Sequence, residues 1–78
     1  MNLNIEKIDE VVLALLHLTM FRENDNHRTW KGHDWEVLNR LHEKGFISDP
    51  ISKAKSVVFT EEGFEKSKKL FQEYFELK

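Results

Sequence analysis

The sequence predicts an α+β fold, mostly helical, and three observations carry that expectation. Apolar residues recur at helical spacing in three separate segments. One β-branched and aromatic run, Ser56 to Thr60, stands apart from them as a strand. Gly45 and Asp49-Pro50 punctuate the chain between the second helical segment and that strand. Seventy-eight residues leave room for one domain spanning 1–78 and little room for a deep cleft.

The first helix is expected from about Ile5 to Met20, with Asn4 as N-cap and Glu6, Asp9 and Glu10 near its positive end. Ile5, Ile8, Val11, Val12, Leu15, Leu16 and Thr19 share one arc, which the pattern assigns to the core. Leu13, Met20 and Phe21 point to the other side. Nine of the eleven residues from Val11 to Phe21 are apolar. A membrane span needs about 20 such residues, so this run is a core helix or meets a partner subunit.

Arg22 to His33 reads RENDNHRTWKGH, polar and rich in turn formers, and is expected to be a long loop. Asp34 then caps a second helix with Trp35, Val37, Leu38 and Leu41 on its inner side. Gly45 ends it in a left-handed conformation, and Phe46 packs back on Leu41. Phe46–Ser48 is expected to pair with Ser56–Thr60 as a two-stranded hairpin. Thr60 caps the last helix, with Glu61 and Glu62 in its first turn and Phe64, Ser67, Leu70, Phe71, Tyr74, Phe75 and Leu77 on one half.

This order, three main helices plus a short two-stranded wing, resembles a winged-helix domain. The stretch from Leu41-His42-Glu43-Lys44-Gly45-Phe46-Ile47 to Val57-Val58-Phe59-Thr60-Glu61-Glu62-Gly63 is similar to recognition helix through wing in bacterial regulators. The chain departs from that pattern where the first helix of a helix-turn-helix belongs, because RENDNHRTWKGH fills the slot with Trp30 as its only large apolar residue. The phrases RTWKGHDW, RLHEKGFISDP and KAKSVVFTEEG, spread over nearly the whole chain, resemble a family of small uncharacterised bacterial proteins, domain of unknown function 6429. That resemblance implies a free-standing cytoplasmic protein of about this size and assigns no site residue.

Composition narrows function by exclusion. Twelve Lys and Arg against fourteen Asp and Glu give a formal charge of −2, with no overall pull toward nucleic acid or an anionic membrane. With no cysteine there is no disulfide, thiolate metal site or cysteine nucleophile, and no secretory signal opens the chain. The four histidines lack zinc-site spacing, the glycines are isolated and the serines lie outside any nucleophile elbow. The chain is therefore read as a non-enzyme without metal, cofactor or small-molecule substrate. Trp30 and Trp35 are expected to close the core, the alternative being exposure of one as a binding anchor.

The leading expectation is a binding module that meets another protein chain, including a second copy of itself as a homodimer. Leu13, Met20, Phe21, Phe71, Tyr74 and Phe75 form the expected interface. The alternative is a DNA-binding regulator with a degenerate helix-turn-helix, using Arg28, Asn39, Arg40, Lys53 and Lys55. The outward face of the second helix balances Glu36 and Glu43 against Arg40 and Lys44, which favours a solvated face over DNA reading.

Overall fold

In the computed structural model, which describes residues 1–77, the chain forms three helices and a three-stranded antiparallel sheet. Helix α1 spans Ile5–Leu18, and the Asn4 side chain accepts a hydrogen bond from the Lys7 backbone N–H at 3.0 Å, filling one donor left open by the first turn. Strands β1, Phe21–Glu23, and β2, Asn26–Trp30, follow at once. Helix α2 is Trp35–Glu43, strand β3 is Ser56–Val58, and helix α3 is Glu61–Phe75.

The segment expected to be a loop is therefore a hairpin. Asn24 and Asp25 both adopt positive φ, 52° and 65°, and make the two-residue turn whose twist suits antiparallel strands. Asn and Asp tolerate that conformation because their short polar side chains bond locally. The strands were hidden because FRE and NHRTW lack the apolar alternation that marks a half-buried strand. β2 then pairs with β3, with Thr29 opposite Val57, so the sheet order is β1-β2-β3. The expected contact of Phe46–Ser48 with the Ser56–Thr60 region is present only as a bridge between Ile47 and Phe59. The two-stranded wing is corrected to a three-stranded sheet.

The junction of α2 and α3 follows the sequence signals closely. Gly45 has φ 81°, and Phe46 N–H returns to the Leu41 carbonyl at 3.0 Å. The Thr60 hydroxyl accepts from Gly63 N–H at 2.9 Å and donates to the Gly45 carbonyl at 2.6 Å, so one side chain joins the end of α2 to the start of α3. Gly63 lies directly against the Phe46 backbone, where a Cβ would collide with the carbonyl group. Helices α1 and α3 run antiparallel, with His17 beside Ser67 at one end and Lys7 beside Tyr74 at the other.

Leu13, Ala14, Leu16, Val37, Leu38, Leu41, Ile47, Val57, Phe59 and Leu70 form the buried core. The inner sheet face meets α1, where the Thr29 hydroxyl donates to the Leu16 carbonyl at 2.8 Å.

Candidate binding surfaces

The orientation of α1 is the main departure from expectation. Asp9, Leu13, Ala14 and Leu16 are its buried residues, whereas Ile5 is exposed and Ile8, Val11, Val12 and Leu15 are only half-buried. Of the predicted core arc only Leu16 is fully buried. Leu13, placed at the interface by the sequence, is corrected to a core residue with 1% of its surface exposed.

Asp9 accounts for the turned face. Its carboxylate accepts from Arg40 Nε at 2.9 Å, from Arg40 Nη2 at 2.8 Å and from Lys44 Nζ at 3.1 Å, while its side chain is 2% exposed. The Arg40 guanidinium, aided by Lys44, holds the carboxyl below the usual carboxylate range, and Asp9 in turn raises Arg40. A fork-shaped cation with a second ammonium satisfies a buried carboxylate in a way that few neighbours can. Desolvation offsets much of the Coulomb attraction in such a cluster, so its clearest effect is to fix which side of α1 faces α2.

The opposite side of α1 is only partly covered, since Ile8 packs on the core while Val11, Leu15 and Leu18 do not. Ile8, Val11, Leu15 and Leu18 recur at spacings of three, four and three residues, the seam of a helix that packs on another helix. Leu18 is 63% exposed, and Val11 and Leu15 are absent from both the core and the side chains packed on it. Near its start, Leu3, Ile8, Val11 and Val12 line a shallow apolar groove. The flanking positions Lys7, Val12, Ala14 and Thr19 bring no carboxylate to the seam.

The remaining expected interface residues divide. Met20, Phe71 and Tyr74 are half-buried and pack on the core, while Phe75 stays exposed and touches Phe71 and Tyr74. The Lys7 ammonium stands 4.2 Å from the Tyr74 ring centre, a cation–π contact between α1 and α3. Phe21 packs with Trp30 on the sheet, ring centres 4.7 Å apart, away from the core. Trp30 and Trp35 are 53% and 49% exposed, which overturns their assignment to the core. Trp30 alternates outward because its neighbour Thr29 takes the buried face. Trp35 is the first residue of α2 and lies outside its buried set, Val37, Leu38 and Leu41.

The residues of the DNA alternative are scattered. Arg40 is engaged on Asp9, Asn39 is half-buried on α2, and Arg28 donates to the Ser56 hydroxyl at 2.9 Å on the sheet. Lys53 and Lys55 are exposed in the segment before β3. The sequence reading missed the two interactions that matter most. Asp9 was placed only in the helix dipole, because its partner Arg40 lies thirty-one residues along the chain and no local pattern announces it. His17 was counted only among histidines without zinc-site spacing, yet its Nδ1 lies 3.1 Å from the buried Ser67 hydroxyl, between Phe64 and Phe71. Ser67 itself donates to the Phe64 carbonyl, so His17 Nδ1 is the donor of the pair. Burial first, then Lys68 and His27, lowers the pKa of His17. Among the described residues, no group of three His, Asp or Glu side chains is placed to hold a metal ion, and no helix is long and apolar enough to cross a membrane.

These features define a small α+β domain with two uncovered apolar surfaces, one on α1 and one on the outer sheet face. The chain belongs to the family described as a domain of unknown function (DUF6429), which matches residues 4–77. It is similar to uncharacterized protein y4hR of Sinorhizobium fredii (strain NBRC 101917 / NGR234), with 48% identity over 75 residues that cover 96% of this chain and 97% of that protein. No solved structure matches it.

Proposed function

We propose that this protein is a non-enzymatic binding module that works through contacts between protein chains, and that its first partner is a second copy of itself. The observation that carries the reading is the outward seam of α1, where Val11, Leu15 and Leu18 lack core cover and Ile8 is covered only in part. Turning this arc inward would release Asp9 from Arg40 and Lys44 to water. The observed orientation ties Asp9 to Arg40 and Lys44 and leaves the seam exposed, which supports the reading.

A second copy suits the seam because the same residues are apolar on both sides of a two-fold contact, and no carboxylate is buried when they meet. Lys7 is the one charge at the rim, and its ammonium is already drawn over Tyr74. Phe75 and Leu3 extend the same end of the α1–α3 pair as exposed apolar side chains.

Light scattering on a size-exclusion column tests this directly. At about 100 µM, well above the micromolar range of ordinary specific association, the protein should elute with twice its chain mass. A monomer mass at that concentration removes the self-association reading.

A further inference from the structure

The outer face of the sheet points to a second ligand, independent of the α1 seam. Strand alternation divides the sheet cleanly. Thr29 and Val57 face the core, and the ring of His27 stacks on Phe64 of α3 at 4.0 Å. Phe21, Arg28 and Trp30 therefore project from the opposite face, where Phe21 and Arg28 are cross-strand partners and Trp30 lies diagonal to Phe21. Arg28 is fixed there by Ser56, through its hydroxyl at 2.9 Å and its carbonyl at 3.3 Å.

The sheet segment is also the more basic part of the chain, although Glu23, two residues from Phe21, shares its outer face. The sheet and its neighbouring loop, residues 21–31 and 48–58, carry five Lys and Arg (22, 28, 31, 53 and 55) against three carboxylates (23, 25 and 49). The rest of the chain carries seven against eleven. Lys31 N–H bonds to the Lys55 carbonyl, which sets these two lysine positions side by side at the end of the sheet nearest Trp30. By contrast, Asp25, Glu61 and Glu65 ring the groove beside His27 on the inner side, which disfavours an anionic chain there.

We infer that this face binds single-stranded nucleic acid, with bases stacking on Trp30 and Phe21 and phosphates meeting Lys53 and Lys55 beside Arg28. The Lys31 ammonium is instead committed to the Pro50 and Ser52 carbonyls, which it ties to the end of β2. An exposed indole braced by a second ring offers the flat apolar platform that unpaired bases use, and flanking cations supply the sequence-independent attraction to phosphate. Duplex DNA is a poorer ligand, because its bases are already stacked and the Arg40 of α2 is held by Asp9. An acidic peptide shares the charge match but has no ring to offer the platform.

Fluorescence anisotropy of a labelled dT oligonucleotide of about 12 nucleotides, at about 50 mM salt, measures the binding. The protein should bind in the micromolar range, and its tryptophan emission should be quenched as it does so. Trp30→Ala should weaken binding roughly tenfold or more, while Trp35→Ala leaves it unchanged; both residues are half-exposed, so circular dichroism should show both variants folded. Lys53→Glu with Lys55→Glu should weaken binding and flatten its salt dependence. An unchanged anisotropy at about 100 µM protein, equal affinity of Trp30→Ala, equal affinity for a duplex of the same length, or full competition by polyglutamate would each overturn the inference. Leu15→Glu, which acts on the α1 seam, should leave the contact of a single subunit with the oligonucleotide intact.

Discussion

Helices α1 and α3 lie side by side and treat their apolar residues in opposite ways. α3 is strongly two-sided: Gly63, Ser67 and Leu70 are buried, and Glu65, Lys68, Lys69, Gln72 and Glu73 face water. The second half of α1 is apolar nearly all round, and the helix buries the side that includes a carboxylate while leaving Val11, Leu15 and Leu18 without core cover. The contrast teaches that periodicity decides orientation only where one face is polar. Where both faces are apolar, a single residue that demands specific partners, here Asp9, settles which side turns in.

The largest expected effect contrasts truncations on the two helices. Leu70→Ala should destabilise the subunit by about 2–5 kcal/mol, since it empties a closed core site. Leu15→Ala should cost under about 1 kcal/mol in dilute solution, as expected for a side chain away from the core. Urea unfolding measures both, in the Leu15→Ala case at the lowest concentration at which the midpoint no longer depends on protein concentration, and equal losses would break the comparison.

Next is the seating of α3. Gly63→Ala should cost toward the upper end of about 1–3 kcal/mol, because the new Cβ meets Phe46 backbone that cannot move aside as a side chain would. A thermal midpoint within error of the parent would show that α3 stands further from Phe46 than described.

Acid should then separate the two flanks of α1. His17, between α1 and α3, has a lowered pKa. The unfolded chain therefore takes up a proton first, and stability declines as pH falls below about 6.5 toward the lower folded value. Asp9, between α1 and α2, also has a lowered pKa. Its contribution is whole above about 3.9 and is lost as pH falls from there through its folded value. Unfolding free energy followed against pH should show two declines, and His17→Gln, which can still donate to Ser67, should abolish only the upper one.

The smallest effect belongs to the best-read boundary. Gly45→Ala should cost about 1 kcal/mol, since φ 81° is left-handed and open space surrounds the position. The difference between the two glycine variants separates a collision from a purely conformational cost.

Local signals in the sequence account for much of the fold. Asn4, Asp34 and Thr60 cap the three helices, Gly45 ends α2, and Ser56–Val58 forms a strand, each by chemistry within a few residues. The hairpin at Phe21–Trp30 was not legible, because its strands pair through the backbone and its turn uses Asn-Asp in place of the glycine that usually marks such turns. The candidate surfaces were legible only as a surplus of apolar residues. Which of them stayed uncovered depended on Asp9 finding Arg40, thirty-one residues away, and no local pattern encodes that pairing. Trp30 was misplaced for a related reason, since its exposure follows from the strand register that the hidden hairpin sets.

Sedimentation equilibrium of the parent, Leu15→Glu and Phe75→Glu tests the central claim, that the outward seam of α1 joins two copies. At about 100 µM the parent and Phe75→Glu should show twice the chain mass, and Leu15→Glu should show a folded monomer, because a dimer would bury its unpaired charge. A dimer that survives Leu15→Glu, or one lost only on Phe75→Glu, would contradict the account and move the contact to the end of α3.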